Sequence, residues 1–311
     1  MRSFRRILVG VDFSKCSQNA LREASRLAAF EESELRVIHV IQDEMVARFE
    51  KLTGLEAPEI CLGRNARLER FVVDTLGPQL PAELSCQTFA AHRFVEIMRQ
   101  VEQFSPGLLV LGQHGDHDAK VCQAGSLASK CVRNAPCQVL ITHERHETPY
   151  RNIVAAIDFS EHSRRALVEA AEICRSDNAR LHIVHVHSPP WIYFMKDKGA
   201  LQNISRRNAQ RYRQNLERDF SDFLQRFDND FDGFPLEIHS MERSSPAAGI
   251  LAYMKETNPD LVVLGTLGMT SHQVQLIGST AERVVSGATC SVLAIKTGGI
   301  PYVHSDPAKA T

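Results

Sequence analysis

Apolar runs and amphipathic stretches alternate along the chain in two successive series. The apolar runs predict five strands in the first half and five in the second, at 7–11, 35–41, 84–89, 108–111 and 138–142, and at 153–157, 181–187, 235–240, 261–264 and 291–295. Helical periodicity follows most of these runs, and Ser14 and Ser160 are predicted to cap the first helix of each series. Near-continuous apolar strands that alternate with helices indicate an α/β protein with two tandem five-stranded parallel sheets, each covered by helices on both faces.

The two series match each other in sequence, which indicates a duplication. The segment ILVGVDFS at 7–14 matches IVAAIDFS at 153–160, an offset of 146 residues. The later segments match at an offset of 153, so the second copy carries a net insertion of seven residues. We therefore expect two domains and a loose C-terminal tail, with bounds at 1–147, 148–298 and 299–311.

One glycine pattern follows the fourth predicted strand of each copy. In the first copy, from Gly112 to Ser126, GQHG is followed after nine residues by GS. In the second copy, from Gly265 to Thr280, GTLG is followed after nine residues by GST. Glycine lets a backbone approach a ligand closely, and a helix that begins at GS presents free N–H groups to an anion. The pattern therefore predicts a phosphate-binding loop at the carboxyl ends of the strands, where sheets of this class bind ligands.

The composition argues against several classes of protein. The 36 Lys and Arg nearly balance the 37 Asp and Glu, and both halves are close to neutral, which disfavours a nucleic-acid or membrane-surface module. The N-terminal apolar run is too short for a secretory signal, and no stretch approaches about 18 apolar residues. We expect a soluble, cytoplasmic protein whose eight scattered cysteines are reduced. Cys122, inside the first nine-residue loop, is either an incidental or a reactive thiol.

Motifs for catalysis are missing from the expected places. The stretches after the first strands, DFSKCS and DFSEHS, lack the glycines of an ATP-activating loop. Neither GxGxxG after the first strand nor GxxxxGK[ST] occurs. We expect no enzymatic activity beyond slow adventitious hydrolysis of a nucleotide.

Histidines raise the alternative of a metal site. Strand alternation places His185 and His187 on one face and His182 on the other, so three ligands cannot converge from this strand alone. His39 is the repeat equivalent of His185, which favours a structural role for both. The first loop offers one more candidate set, which we expect to be solvated rather than metal-bound, in His114, His117 and Asp118.

The segments 42–80 and 188–232 differ between the copies. Residues 203–227 predict an amphipathic helix whose apolar face contains Tyr212, Leu216, Phe220, Phe223 and Phe227. The arginines of this segment lie elsewhere on the helix, at Arg206, Arg207, Arg211, Arg213 and Arg218. A helix solvated on its polar face is the favoured interpretation, and a surface for an anionic partner is the alternative.

These residues together resemble the tandem form of the universal stress proteins. The resemblance covers about 5–143 and 150–297, and it rests on the aspartate after the first strand, the GxxG-x9-G[ST] loop, and AERV at 281–284. It implies a Rossmann-like, adenine nucleotide alpha-hydrolase-like fold with two pseudo-two-fold related domains. It also implies that an adenine nucleotide (ATP, ADP or AMP, with or without Mg²⁺) binds, and that the last strands, 138–142 and 291–295, pair within one chain.

The resemblance assigns nucleotide contacts residue by residue. In the second domain these are Asp158, Val186, Gly265, Gly268, Met269, Thr270, Gly278, Ser279 and Thr280. In the first domain the corresponding contacts, which we expect to form a weaker site, are Asp12, Val40, Gly112, Gly115, Gly125 and Ser126.

Loop charges distinguish the two expected sites. The first loop, DHDAKVCQA, puts Asp116 and Asp118 beside a phosphate and offers only Lys120 to offset them. The second loop, MTSHQVQLI, is uncharged and offers hydroxyl and imidazole donors. We therefore expect the nucleotide mainly in the second domain.

Two functions of different classes follow from this sequence. In the first, nucleotide occupancy biases association with an unknown protein partner or with a second copy of the chain. In the second, the sites are degenerate, no nucleotide binds, and the protein is a dimerising scaffold. Ligand occupancy distinguishes the two.

Overall fold

A computed structural model describes residues 4–78, 80–114, 125–145, 148–188, 206–227, 231–268 and 277–296. The described residues of the first repeat form β1 (Arg6–Gly10), α1 (Lys15–Glu31), β2 (Glu34–Ile41), α2 (Asp43–Thr53), α3 (Ala57–Leu76), β3 (Leu84–Ala90), α4 (Arg93–Phe104), β4 (Leu108–Gly112), α5 (Ser126–Asn134) and β5 (Gln138–Thr142). The described residues of the second repeat form β6 (Asn152–Ile157), α6 (Glu161–Asp177), β7 (Arg180–His187), α7 (Arg206–Leu224), β8 (Leu236–Glu242), α8 (Pro246–Thr257), β9 (Leu261–Gly265), α9 (Ser279–Gly287) and β10 (Ser291–Ile295).

The chain divides into two compact units, which we call the first and the second unit. The second unit runs from Pro149 to Cys290, and the first contains the residues up to Thr148 together with β10. The last strand of the second repeat thus belongs to the first unit.

The sheet of the first unit has the strand order β3-β2-β1-β4-β5, and all of these strands are parallel. At its β5 edge, β10 pairs antiparallel, with Leu293 opposite Leu140. This pairing confirms the expectation that the last strands of the two repeats pair within one chain. It also covers an edge that would otherwise present unpaired N–H and C=O groups.

The second unit repeats the same topology in the order β9-β6-β7-β8, again with parallel neighbours. In each unit the first strand is paired on one side with the second strand of the repeat and on the other side with the fourth. The chain therefore changes direction across the sheet beside the first strand, which is where ligands bind in doubly wound folds.

Helices cover the sheets in the predicted way. In the first unit α1 packs beside α3, and α4 packs beside α5; in the second unit α8 packs beside α9, and α6 packs on β6 and β9. The central strands are buried almost completely, as their apolar sequences predict.

Helix α7 confirms the prediction of an amphipathic helix in this segment. Phe220 and Phe223 are buried, and their rings lie 5.6 and 5.4 Å from the ring of Phe159. Arg211, Arg213 and Arg218 are exposed, as expected for the polar face.

Among the described residues, no helix has both the length and the apolar character that a transmembrane span requires. All seven cysteines within the described ranges are free thiols, as predicted, and Cys122 lies outside these ranges. Burial raises the pKa of the Cys131, Cys137, Cys174 and Cys290 thiols to about 12. Such thiols stay protonated near neutral pH and are therefore inert.

Candidate functional site at the carboxyl ends of the strands

A cavity of about 510 Å³ lies at the carboxyl ends of β1, β2 and β4 in the first unit. This volume falls within the range of about 300–1,000 Å³ that small-molecule sites usually have. The wall includes three of the residues assigned from the sequence at the strand ends, namely Asp12, Val40 and Gly112. The start of α5 closes one side with Gly125 and Ser126, so five of the six assigned residues of this unit share one cavity.

The aspartate after the first strand is held in the same way in both units. Asp12 Oδ1 accepts a hydrogen bond of 3.1 Å from the Ser14 N–H, and Asp158 Oδ1 accepts one of 3.1 Å from the Ser160 N–H. The intervening phenylalanines, Phe13 and Phe159, have φ of 68° and 65°, a conformation that non-glycine residues rarely adopt. Strained backbone that recurs at one place in two repeats is typical of a functional site.

The serines after these aspartates cap the next helix, as predicted. Ser14 Oγ accepts from the Ser17 N–H and Ser160 Oγ accepts from the Ser163 N–H, each over 3.2 Å. Ser14 Oγ also donates to the His114 carbonyl oxygen over 3.2 Å, which ties the end of β4 to the start of α1.

The equivalent histidines on the second strand are structural, as the repeat predicts. His39 Nδ1 lies 2.7 Å from the Val11 carbonyl oxygen, and His185 Nδ1 lies 2.9 Å from that of Ile157. Burial is the main cause that lowers the pKa of both imidazoles, which keeps them neutral near pH 7. A neutral ring that donates to this carbonyl fixes the backbone beside Asp12 and Asp158.

The first glycine of each loop pattern has a packing role that the sequence analysis did not identify. A Cβ on Gly112 would lie 2.8 Å from Cys16 Cβ and from the Ser17 backbone nitrogen, and one on Gly265 would lie 2.7 Å from His162 Cβ. Both contacts are with the first turn of the helix that covers the strand. These glycines therefore allow the covering helix to pack close to the strand, and their contact with a ligand stays a prediction.

Gly268 has a different environment. A Cβ here would lie 2.4 Å from Asp158 Oδ2, so the Asp158 carboxylate packs directly on the glycine backbone. This contact brings together two of the residues assigned to the second site.

The helices after the loops begin without a side-chain cap. The capping positions of α5 and α9 are Gly125 and Gly278, which have no side chain to accept from the first N–H groups of the helix. The N–H of each glycine itself donates to a backbone carbonyl, over 2.8 Å to Gln113 and over 2.6 Å to Thr266. The capping residue thus does not neutralise the positive end of either helix dipole, which favours an anionic ligand there.

Four basic side chains on the wall of the first cavity were missed by the sequence analysis. They come from three helices and are Arg64 and Arg67 of α3, Arg93 of α4 and Lys130 of α5. None of the four forms an ion pair within the described part of the chain. Burial, and after it the charge of Arg67, lowers the pKa of Arg64. The described wall of the cavity thus has four cationic side chains against the one carboxylate of Asp12, and this excess of positive charge favours an anionic ligand.

The second unit differs at the equivalent of Arg67. The Phe13–Phe71 and Phe159–Phe220 ring pairs match, with centroids 5.3 and 5.6 Å apart and interplanar angles of 87° and 88°. This match places Leu216, four residues before Phe220, at the position of Arg67, four residues before Phe71. The guanidinium of Arg67 stacks on Phe13 at 4.3 Å from the ring centre. The second unit has no such cation at this position.

The other assigned residues of the second unit lie at matching positions where they are described. Val186 is buried at the end of β7 like Val40 at the end of β2, while Ser279 is exposed and Thr280 half-buried at the start of α9. The loop residues on which the comparison of charges depends lie outside the described ranges, as do the following assigned residues: Gly115, Met269 and Thr270. So do His117 and Asp118 of the candidate metal set, whereas the third member, His114, has its ring 6.4 Å from that of His143.

Comparison with known proteins identifies the family of the chain. The model of the Universal stress protein family matches residues 3–143 and again 149–296. A universal stress protein A homolog of Coxiella burnetii is 31% identical over 153 residues, which cover 47% of this chain and 96% of the relative. A universal stress protein of Mycolicibacterium smegmatis is 26% identical over 305 residues, 93% of this chain and 96% of the relative.

A solved structure of similar length has the same fold. A functionally unknown protein from Pseudomonas aeruginosa superposes with a TM-score of 0.65 at 19% identity, and the match covers 95% of this chain and 93% of that one. The two repeats, the topology and the matches to the family agree with each other. This chain belongs to the universal stress protein family, with two copies of the family domain in tandem.

Proposed function

We propose that this protein binds an adenine nucleotide in the cavity of the first unit. The observation that carries the proposal is the set of four basic side chains, unpaired within the described residues, around a cavity at the topological switch point. A nucleotide supplies both an apolar base and several negative charges, and the cavity offers complementary groups for each.

The cavity suggests which part of the ligand lies where. The buried end of β2, at Ile38 and Val40, offers an apolar wall and backbone groups for the base. The Asp12 carboxylate accepts hydrogen bonds, as a ribose requires of its partner. The uncapped N-terminus of α5 and the nearby Lys130 suit the phosphates. Arg64, Arg67 and Arg93 supply the remaining positive charge.

The second unit is proposed as a second nucleotide site. Its loop is uncharged in sequence, which is the reason to expect the stronger binding there, and α9 begins without a side-chain cap. Against this, the stacked arginine of the first unit is replaced by Leu216. Because four cationic side chains line the cavity of the first unit and Leu216 replaces one of them in the second, we favour the first unit as the tighter site.

The proposed role of the nucleotide is regulatory. We propose that occupancy biases association with a protein partner or with a second copy of the chain in the cytoplasm, and that the protein does not turn the nucleotide over. The competing proposal is a scaffold with empty sites. It is favoured only if folded protein fails to bind nucleotide.

The test is to identify the ligand that survives purification. Denaturing the purified protein is expected to release ATP, ADP or AMP, measured by mass spectrometry of the supernatant against protein concentration. Arg67→Leu introduces the residue of the second unit at this position and is expected to release much less. Gly268→Val, which displaces the Asp158 carboxylate, is expected to retain most of the nucleotide.

If Gly268→Val instead carries much less nucleotide than the wild type and Arg67→Leu retains most of it, the tighter site is in the second unit, as the loop charges predict. If folded wild-type protein carries no nucleotide and takes up none from millimolar ATP, the scaffold is the better account. Circular dichroism of each variant before denaturation serves as the control for folding.

A further inference from the structure

A cluster of two histidines and a glutamate lies at the outer edge of the second unit, away from the carboxyl ends of the strands. His182 is on β7, and Glu237 and His239 are on the neighbouring edge strand, β8. His182 is the register partner of Glu237, and His239 follows two residues later, so the three side chains share one face of the sheet. One ligand atom from each residue lies within 4.8 Å of the other two.

The neighbouring strand, β8, supplies the two further ligands that β7 cannot place on one face. The alternation predicted along β7 is confirmed, because His182 faces Tyr253 of α8 while His187 contacts Tyr212 of α7. Three ligands do not converge from β7 alone. Two of them come from the E-x-H segment of β8, which the sequence analysis did not consider.

Two of the three distances between ligand atoms in the cluster fit a tetrahedral metal ion, and the third is within 4.8 Å. Glu237 Oε2 lies 3.5 Å from His182 Nδ1 and 3.4 Å from His239 Nε2. Metal–ligand bonds of about 2.0–2.2 Å at the tetrahedral angle separate ligand atoms by roughly 3.3–3.6 Å. The two measured distances fall within this range, so an ion could be bound with small side-chain rotations.

The surroundings orient the glutamate and leave the site accessible. Arg180 Nη1 donates to Glu237 Oε1 over 2.6 Å, which leaves Oε2 directed at the two imidazoles. His239 Nε2 is buried, and its contact with Glu237 Oε2 is long for a hydrogen bond at 3.4 Å. The side chains of Glu237 and His239 are 39% and 35% exposed, so an ion can reach the cluster from solvent.

The Tyr253 hydroxyl lies beside the cluster, 2.9 Å from His182 Nδ1. This nitrogen has a single lone pair, so its contact with the hydroxyl is replaced when it binds an ion. The hydroxyl is then placed to be a hydrogen-bond partner for a metal-bound water.

The cluster is specific to the second unit. By register and repeat offset, the equivalents of His182, Glu237 and His239 in the first unit are Arg36, Ser85 and Gln87. None of these three residue types is a common metal ligand. The guanidinium of Arg36 instead stacks on Phe104, 4.0 Å from the ring centre. The cluster is therefore not a requirement of the fold.

We propose that His182, Glu237 and His239 bind one Zn²⁺, or a transition-metal ion of similar preference, with a fourth position open to water. Two imidazoles and one carboxylate are a donor set that proteins use for zinc with an open position. The proposal is independent of nucleotide binding, because the residues and the face of the sheet are different.

Metal binding itself tests this proposal. Metal-free wild-type protein without a polyhistidine tag is titrated with Zn²⁺ by calorimetry, and with Co²⁺ by visible absorption. We expect one ion per chain, the absorption of tetrahedral Co²⁺, and a higher Tm with Zn²⁺. His239→Ala and Glu237→Gln are expected to weaken binding by at least about 10-fold. Both residues are partly exposed, so both variants are expected to fold.

A matched pair on the opposite face of the same strands provides the control. His187 and Glu242 are also register partners, and His187→Gln and Glu242→Gln are expected to bind Zn²⁺ within about two-fold of the wild type. The proposal is overturned if folded wild-type protein takes up no stoichiometric ion at micromolar Zn²⁺. It is also overturned if His239→Ala and Glu237→Gln bind as tightly as the wild type, because the ion is then held elsewhere.

Discussion

Replacing both Arg64 and Arg67 by glutamate is expected to weaken ATP binding by about 100-fold, which corresponds to about 2.7 kcal/mol. Both side chains line the cavity of the first unit, and neither has an ion-pair partner within the described residues. The substitution changes the charge around the ligand by four. At about 4–8 Å and an effective dielectric constant near 20, each unit charge contributes roughly 2–4 kcal/mol before salt screening. The expected loss of binding free energy is therefore smaller than the unscreened electrostatic effect of the substitution.

The same double substitution is expected to leave folding intact. The two guanidinium groups lie close enough for the charge of Arg67 to lower the pKa of Arg64, and the two glutamates replace this repulsion by a similar one, so its contribution to stability changes little. Some stabilisation is lost with the stacking of Arg67 on Phe13, which contributes roughly 0.5–1 kcal/mol at a surface position. The binding loss is therefore attributable to the ligand and not to unfolding.

A double substitution with the same charge change, on α2 and α3, provides the control. Arg48 of α2 and Arg70 of α3 are exposed and do not line the cavity. Arg48→Glu with Arg70→Glu is expected to change the dissociation constant, measured by calorimetry at about 0.15 M salt, by less than about three-fold. An equal loss in both double variants would show that net charge matters and the cavity does not.

Gly112→Val is expected to destabilise the first unit by more than about 3 kcal/mol, the upper end of the usual range for overpacking. The new Cβ would lie 2.8 Å from the backbone nitrogen of Ser17 and 2.9 Å from the carbonyl carbon of Cys16. Backbone atoms in the first turn of α1 cannot move aside as a flexible side chain can. The whole helix must therefore shift from β4, and its links to Thr142 and His114 would break.

Urea denaturation followed by circular dichroism measures this effect, with Gly63→Val as the control. Gly63 lies in α3, and a Cβ there would meet no atom within 4 Å. The control is expected to unfold within about 1 kcal/mol of the wild type, because valine and glycine differ little in helix propensity. If the midpoint of Gly112→Val equals that of the wild type, the packing role assigned to this glycine is wrong.

Much of the fold can be predicted from the sequence because local patterns of apolar and polar residues determine its strands and helices. The strands at 138–142 and 291–295 are observed with the predicted bounds. Buried parallel strands need continuous apolar runs and covering helices need amphipathic ones, so both leave an unambiguous periodicity. Ser14 and Ser160 cap their helices because the capping group and the capped N–H are only three residues apart.

The cationic side of the cavity depends on contacts that no local pattern records. Arg64 and Arg67 lie in the segment that differs between the repeats, so the repeat alignment gives no guide to them. Arg67 approaches Phe13 only because α3 packs beside α1. The loop charges, in contrast, are visible in sequence, which is why the sequence analysis ranked the two sites by their loops.

The metal cluster was missed for a similar reason. His182 and Glu237 are 55 residues apart in sequence and meet through the pairing of β7 with β8. The signal that could have found the cluster is the alternation of Glu237 and His239 on a strand that the topology places beside His182. The packing role of Gly112 could not be predicted either. A glycine required by a closely packed helix and a glycine required by a bound ligand look the same in sequence.

Titration of ATP into purified, nucleotide-free wild-type protein tests the central claim most directly. The account predicts saturable binding with at least one site per chain, a tighter site that is lost with Arg64→Glu and Arg67→Glu, and a higher Tm in the presence of ATP. Folded protein that shows no heat of binding and no change in Tm up to millimolar ATP would contradict it.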